Sequence, residues 1–291
     1  MFSATVVASV VAITSAARAQ ATAPSPATAK PPASAAASRA PSELRISLPV
    51  DIAVTAVGAA TWLVSDLLKS HLAPLACRWC EANALDTAAR DHLRWTDHGG
   101  AAVTLSNVGA YAAAPLVSAG LLAVAAAEQG DARRIGIDLL LTAEAVTLAA
   151  NLDQLVKYTV GRQRPYAHAG VPNPDTRQGA DDVNLSFYSA HTSITFSIAA
   201  AAGTVARLRR SRWAPAIYIA GAAVGAATAY LRIAADQHYL TDVVTGAAVG
   251  SAVGVGVPLL HRPRDRSTAT SLVVEPLTIA GSHGLGCTVL W

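Results

Sequence analysis

Two histidines, four cations and two carboxylates fall in three short stretches of this chain: KYTVGRQRP from Lys157 to Pro165, YSAH from Tyr188 to His191, and RIAADQHYLTD from Arg232 to Asp242. Lys157 and Arg164 are seven residues apart, two turns of a helix stopped by Pro165, so both can lean toward one point. A phosphate group suits such an array, since a guanidinium fork takes two of its oxygens and an ammonium another. Ser189, Ala190 and His191 stand where a polar loop gives way to an apolar helix. The first backbone N–H groups of a helix lack partners and favour an anion, and Ser189 is also a natural N-cap. His191, beside that anion site, can exchange protons near neutral pH. His238 and Asp242, four apart, share a helical face, so the carboxylate can hold one ring nitrogen and leave the other free to attack. Arg232 would lie about 120° off that face in an unbroken helix. The chain is therefore expected to turn near Asp236, with Asp236 as a candidate N-cap. The chemistry implied is a phosphate pocket with its own nucleophile.

The elements that must position these groups are apolar. The chain of 291 residues is 52% hydrophobic and only 14% charged, which points to a helical membrane protein. Six segments, roughly 51–68, 101–126, 135–156, 189–206, 213–231 and 241–260, read as helices by length and by their poverty in turn residues. Arg133 and Arg134, then Arg207, Arg209, Arg210 and Arg212, then Arg262, Arg264 and Arg266 fall on one face if every segment crosses. The positive-inside rule makes that face cytoplasmic and leaves the three motifs on the other. The domain layout expected is a signal-like leader at 1–19, an Ala/Pro-rich disordered linker at 20–49, a helical domain at 50–262 and a tail at 263–291 containing a possible β-hairpin. A leader cleaved after export would start the first segment from the wrong side, which conflicts with the arginine pattern unless that segment does not span or the protein is soluble.

Other residues carry weaker signals. Cys77 and Cys80 in CRWC are expected to form a local disulfide in an oxidising compartment, since no βαβ pattern favours redox catalysis. Glu144, Asn151, Gln154 and Tyr158 form a polar stripe, read either as helix–helix hydrogen bonding or as the floor of the pocket. Gly246, Gly250 and Gly254 favour close helix packing, and Arg162 fits a basic anchor at the membrane edge. The net charge of +3, scattered and without aromatic interleaving, argues against nucleic acid.

Taken in order, the three stretches resemble the type 2 phosphatidic acid phosphatase (PAP2) superfamily, which also holds bacterial acid phosphatases and vanadium haloperoxidases. Its pattern is K-x6-RP, PSGH and SR-x5-H-x3-D. Lys157, Arg164 and Pro165 match, as do Ser189, His191, Arg232, His238 and Asp242; Tyr188, Ala190 and Leu231 replace the family's Pro, Gly and Ser. The resemblance implies an all-α, six-helix membrane bundle. It also implies a phosphatase, with phosphate held by Lys157, Arg164, Ser189, the Ala190 amide and Arg232. His238 would be the nucleophile oriented by Asp242, and His191 the general acid and base. It implies no metal and no cofactor. The substrate expected is a phosphorylated lipid, of phosphatidic acid or isoprenoid pyrophosphate type, at the periplasmic face of a bacterial-type envelope. The alternatives are a soluble periplasmic acid phosphatase, a vanadate-dependent haloperoxidase and a non-catalytic phosphate-binding membrane protein.

Overall fold

Pro49 starts the first long helix, α1 (Leu48–Leu67), where a missing N–H costs nothing. A computed structural model of the chain describes residues 44–262, 271–279 and 282–290. The expected leader, and the expected linker up to residue 43, lie outside those residues. After α1 come two short elements, α2 (Lys69–Leu72) and α3 (Ala84–Leu93), the latter capped by Asn83, which accepts the Asp86 N–H at 2.9 Å. The second apolar segment is one kinked rod: α4 (Gly99–Val108), a π-turn at Gly109–Ala113, and α5 (Ala114–Glu128). The rest are α6 (Ile135–Val160), the single turn α7 (Pro165–His168), α8 (Ala190–Leu208), α9 (Ala214–Ala234) and α10 (Leu240–Leu260). The backbones of β1 (Ser271–Ile279) and β2 (Ser282–Leu290) pair antiparallel, Ser271 opposite Leu290.

α8 is the hub, packed by α10, α9 and α6. Its face is alanine, serine, threonine and glycine, and Ala201, Ala202 and Ser197 are wholly buried. Small residues let backbones approach where lipid gives no hydrophobic push between helices. On α10, a Cβ at Gly246, Gly250 or Gly254 would sit 2.7, 2.2 or 2.5 Å from the carbonyl oxygens of Ser189, Ser193 and Ser197. The glycine stripe thus seats α10 on α8, and its first member lies against the residue that opens α8.

The outward surface is apolar. Leu116, Ile219 and Leu260 are at least 70% exposed, and most of α1 is exposed as well. Among the described residues five helical stretches are long and apolar enough to cross a membrane: Leu48–Leu67, Gly99–Glu128, Ala132–Val160, Ala214–Ala234 and Leu240–Leu260. α8 has 19 residues and supplies the interior. The protein is an integral membrane helical bundle.

All three motifs gather at one end of the bundle. Arg133, Arg134, Arg207, Arg209, Arg210, Arg212 and Arg262 lie at the other, about 30 Å away along helices of twenty residues, while Arg264 and Arg266 fall outside the described residues. Not all of those arginines are simple anchors. Arg209 is buried and donates to Asp138 Oδ1 from Nε and Nη2 at 3.0 and 2.7 Å, tying the end of α8 to the start of α6.

Candidate active site

Lys157 lies in the last turn of α6, which ends at Val160. Gly161 then takes a left-handed conformation, φ 61°, and Arg164 stands in extended chain just before α7. The two cations therefore meet because the chain reverses, not because one helix carries both as the spacing alone suggested. A Cβ on Gly161 would also press on Pro74 and Arg78 at 3.1 and 3.3 Å. That neighbouring loop is closed by a disulfide between Cys77 and Cys80.

Arg232 lies in the last turn of α9, and the chain then turns at Asp236, whose φ is 56°. Asp236 is not a helix cap. It accepts a fork from Arg90, Nε to Oδ1 at 2.6 Å and Nη2 to Oδ2 at 2.7 Å, while Tyr239 is the residue before α10. The bend places His238 and Arg232 on the same pocket.

That pocket, about 130 Å³, is lined by Lys157, Arg164, Arg232, His191, His238 and Ala190. Two of the three cations also face carboxylates, Arg164 Nη2 lying 3.6 Å from Asp182 Oδ1. Lys157 Nζ lies 3.1 Å from Asp153 Oδ2, and Arg164 is braced by the Asp182 carbonyl at 2.8 Å and the Gln237 carbonyl at 3.0 Å. Arg232 has one long bond, Nη1 to Ser106 Oγ at 3.3 Å, and its buried Nε has no hydrogen-bond partner. Its donors are aimed at a site that wants an anion.

His238 Nδ1 is 2.8 Å from the Ser186 carbonyl, which only a protonated nitrogen can satisfy, so the lone pair lies on Nε2. Nε2 faces Arg164 Nη1 at 3.4 Å. Burial first, then the charges of Arg164, Arg232 and Lys157, hold the imidazole well below the usual histidine range against the opposing pull of the Ser186 carbonyl. The ring is neutral near pH 7 and presents a nucleophilic nitrogen. His191 Nε2 donates to Asn107 Oδ1 at 2.6 Å, leaving the lone pair on Nδ1.

Two expected site residues stand behind the pocket. Asp242 Oδ2 is 3.7 Å from His238 Nδ1, beyond hydrogen-bonding distance, and instead accepts from Ser186 Oγ at 2.6 Å and the Tyr239 N–H at 2.9 Å. It holds the histidine through the Ser186 segment. Ser189 is wholly buried, its Oγ accepting from Thr192 Oγ1 at 3.1 Å and its N–H bonded to the Asp242 carbonyl at 3.2 Å. Ala190, one residue on, reaches the pocket wall.

Sequence reasoning missed the anchor of this layer. Arg162, read as a membrane-edge cation, has a wholly buried side chain; its Nη1 binds Asp242 Oδ1 at 2.5 Å and its Nη2 binds Asp86 Oδ2 at 2.6 Å. The rings of Trp79 and Tyr239 cover it, 3.9 and 4.2 Å from the guanidinium carbon. Asp86, Ser186 and Asn107 carry no signal in spacing, since each acts across more than 50 residues of sequence. Lys69, which lines the pocket, pairs with Asp182 at 3.0 Å and was equally invisible. Of the polar stripe on α6 only Gln154 reaches the pocket. Asn151 donates to the Gly58 carbonyl and Tyr158 to that of Ser65, both at 2.8 Å, so those two fasten α1 to α6.

Comparison with known proteins agrees with the motifs. No curated protein matches the chain. The crystal structure of a transmembrane PAP2 type phosphatidylglycerolphosphate phosphatase from Bacillus subtilis is similar over 72% of this chain and 98% of its own, with 15% identity and a TM-score of 0.45. The sequence model of the PAP2 superfamily matches residues 138–266, the segment that contains Lys157, Arg164, His191, Arg232 and His238. Residues 138–266 are thus similar to the PAP2 superfamily.

Proposed function

We propose that this protein is a metal-independent phosphatase that removes phosphate from a lipid phosphate monoester or pyrophosphate through a phosphohistidine. The observation that carries this reading is the convergence of a neutral His238, its Nε2 lone pair on the side of Arg164, and three buried cations on one small pocket. The pocket has room for about four waters, the scale of a phosphoryl group and an attacking water.

Lys157, Arg164 and Arg232 hold the phosphoryl oxygens and stabilise the charge that spreads over them in the transition state. His238 Nε2 attacks phosphorus as the bond to the leaving oxygen breaks, and His191 Nδ1, protonated by the acidic proton that an incoming phosphate monoanion carries, passes that proton to the leaving oxygen. His191 then takes a proton from water, whose oxygen attacks the phosphohistidine and releases phosphate. Fixed cations neutralise charge throughout. Activity is therefore expected to persist in EDTA.

Position supports the lipid substrate. The pocket opens at the end of helices whose outer faces are apolar, and Trp62 of α1 forms part of its wall, so an acyl or prenyl tail can remain in the bilayer while the head enters. Arginine loops at the opposite end support an extracytoplasmic site. α1 starts at that arginine-bearing end, where the Arg45 N–H bonds the His261 carbonyl at 2.8 Å. This orientation is incompatible with a signal cleaved ahead of α1, and we keep the arginine-based one.

The test is phosphate release from matched lipid and water-soluble phosphates in EDTA, alongside His238→Ala. Lipid preference with total loss in the variant supports the reading. A need for Mg²⁺, or activity that survives the substitution, refutes it.

A further inference from the structure

At the end of the bundle away from the phosphate pocket, three side chains from three helical segments converge: Asp51 in the first turn of α1, Glu144 in α6 and His261 just after α10. Their ligating atoms all lie within 4.8 Å of one another. We propose that these residues form a binding site for a divalent cation of the zinc class, separate from the catalytic pocket.

The histidine is set up as a ligand. His261 Nδ1 is 3.0 Å from the Val257 carbonyl, which requires the proton on Nδ1 and turns the bare Nε2 lone pair toward the two carboxylates. A backbone carbonyl on one ring nitrogen is the usual way a metal-bound histidine is fixed. The carboxylates are oriented too. Asp51 Oδ2 is occupied by the Ser47 N–H at 3.0 Å, which leaves Oδ1 to face His261. Glu144 Oε2 is buried and has no hydrogen-bond partner among the described residues. Three acceptor atoms therefore meet with no donor hydrogen between them, an arrangement that only a cation or an added proton satisfies.

Distance favours the cation. His261 Nε2 is 3.5 Å from Asp51 Oδ1 and 3.9 Å from Glu144 Oε2. Those separations are long for a hydrogen bond, yet close to the ~3.4 Å between neighbouring ligands of a tetrahedral ion with bonds of about 2.1 Å. The flexible Glu144 side chain can close the remainder. One imidazole and two carboxylates are a zinc-type donor set with a coordination position left for water. The C-terminal end of α10 adds the negative end of its dipole. The ion would tie the entry of α1 to the exit of α10, and it takes no part in phosphoryl transfer. Local spacing carries no hint of it, because the three residues are 93 and 117 positions apart.

The test uses the untagged full chain in detergent micelles, stripped with EDTA and dialysed. Zn²⁺ binding is followed by calorimetry and Co²⁺ binding by its visible absorption bands. We expect one equivalent per chain, loss of binding in His261→Ala, and at least tenfold weakening in Glu144→Gln and Asp51→Asn. Zn²⁺ should raise the unfolding temperature of the unaltered chain and not that of the variants. Helical circular dichroism and a single size-exclusion peak establish that each variant is folded. Should His261→Ala fail that check, the near-isosteric Glu144→Gln supplies the comparison. No saturable binding, or binding of unchanged affinity in the folded variants, overturns the proposal. So does a His261 ring that titrates by NMR as a protonated partner of the two carboxylates and ignores added Zn²⁺.

Discussion

His238 Nδ1 bonds the Ser186 carbonyl at 2.8 Å, while the nearest Asp242 oxygen is 3.7 Å away. The group that fixes the tautomer of His238, the proposed nucleophile, is thus a backbone atom, and the carboxylate acts one step behind it through the Ser186 hydroxyl.

Asp242→Asn should therefore leave the imidazole in place and loosen only its support. Removing groups that orient a functional imidazole costs about 10- to 100-fold. A fall in kcat of that size is expected, against complete loss of phosphoenzyme in His238→Ala. Rapid-quench trapping of acid-labile phosphoprotein measures both. Equal losses would show that Asp242 acts directly on the ring.

Arg162 carries stability as well as alignment. Arg162→Met leaves Asp86 and Asp242 buried without their counter-charge, and breaking one side of a buried ion pair costs about 3–5 kcal/mol. The variant should unfold at markedly lower denaturant in micelles. Arg162→Lys restores charge without the fork or the stacking on Trp79 and Tyr239, and it should recover only part of the loss. Full recovery by lysine would show that charge alone matters.

The pH profile follows from the cations around the nucleophile. They hold the His238 pKa down, and attack needs the neutral ring, so the acid limb of kcat/KM that reports His238 should lie well below the ordinary imidazole range. Arg232→Gln removes a charge that disfavours protonation. The His238 pKa then rises, and the acid limb moves to higher pH as the rate falls. A limb that stays put or moves down would contradict this assignment.

Packing on α10 gives a graded test. A methyl at Gly250 would meet Ser193 O at 2.2 Å, whereas at Gly256 it meets nothing within 4 Å. Gly250→Ala should cost about 1–3 kcal/mol by overpacking. Gly256→Ala should be close to neutral. Thermal unfolding of the two variants side by side decides it.

Helices and motifs were legible because both are local. Apolar runs of twenty residues declare themselves, and Lys157, Arg164, His191, Arg232 and His238 sit at spacings that imply a shared target. Geometry across the chain was not legible. Arg162 looked like an anchor since nothing nearby in sequence reveals Asp86 or the covering Trp79 ring. Asp242 was placed on His238 by its four-residue spacing, but the bond went to the Ser186 carbonyl, an atom every residue possesses. Asp236 resembled a helix cap and proved to be the bend's ion-pair partner for Arg90.

Gly161 has a consequence for how this chain can change over time. Its left-handed turn converts a linear interval into a closed ring of geometry, with Lys157 at one end and Arg164 at the other. One residue inserted within 158–163 would swing Arg164 off target and drag Arg162 from its sheath, disabling two layers at once. The stretch from 169 to 180 is held at its middle as well, where Asn173 Oδ1 accepts from Gln237 Nε2 at 2.8 Å, next to His238, and Asp175 is buried. Drift in length is thus constrained on both sides of Arg164.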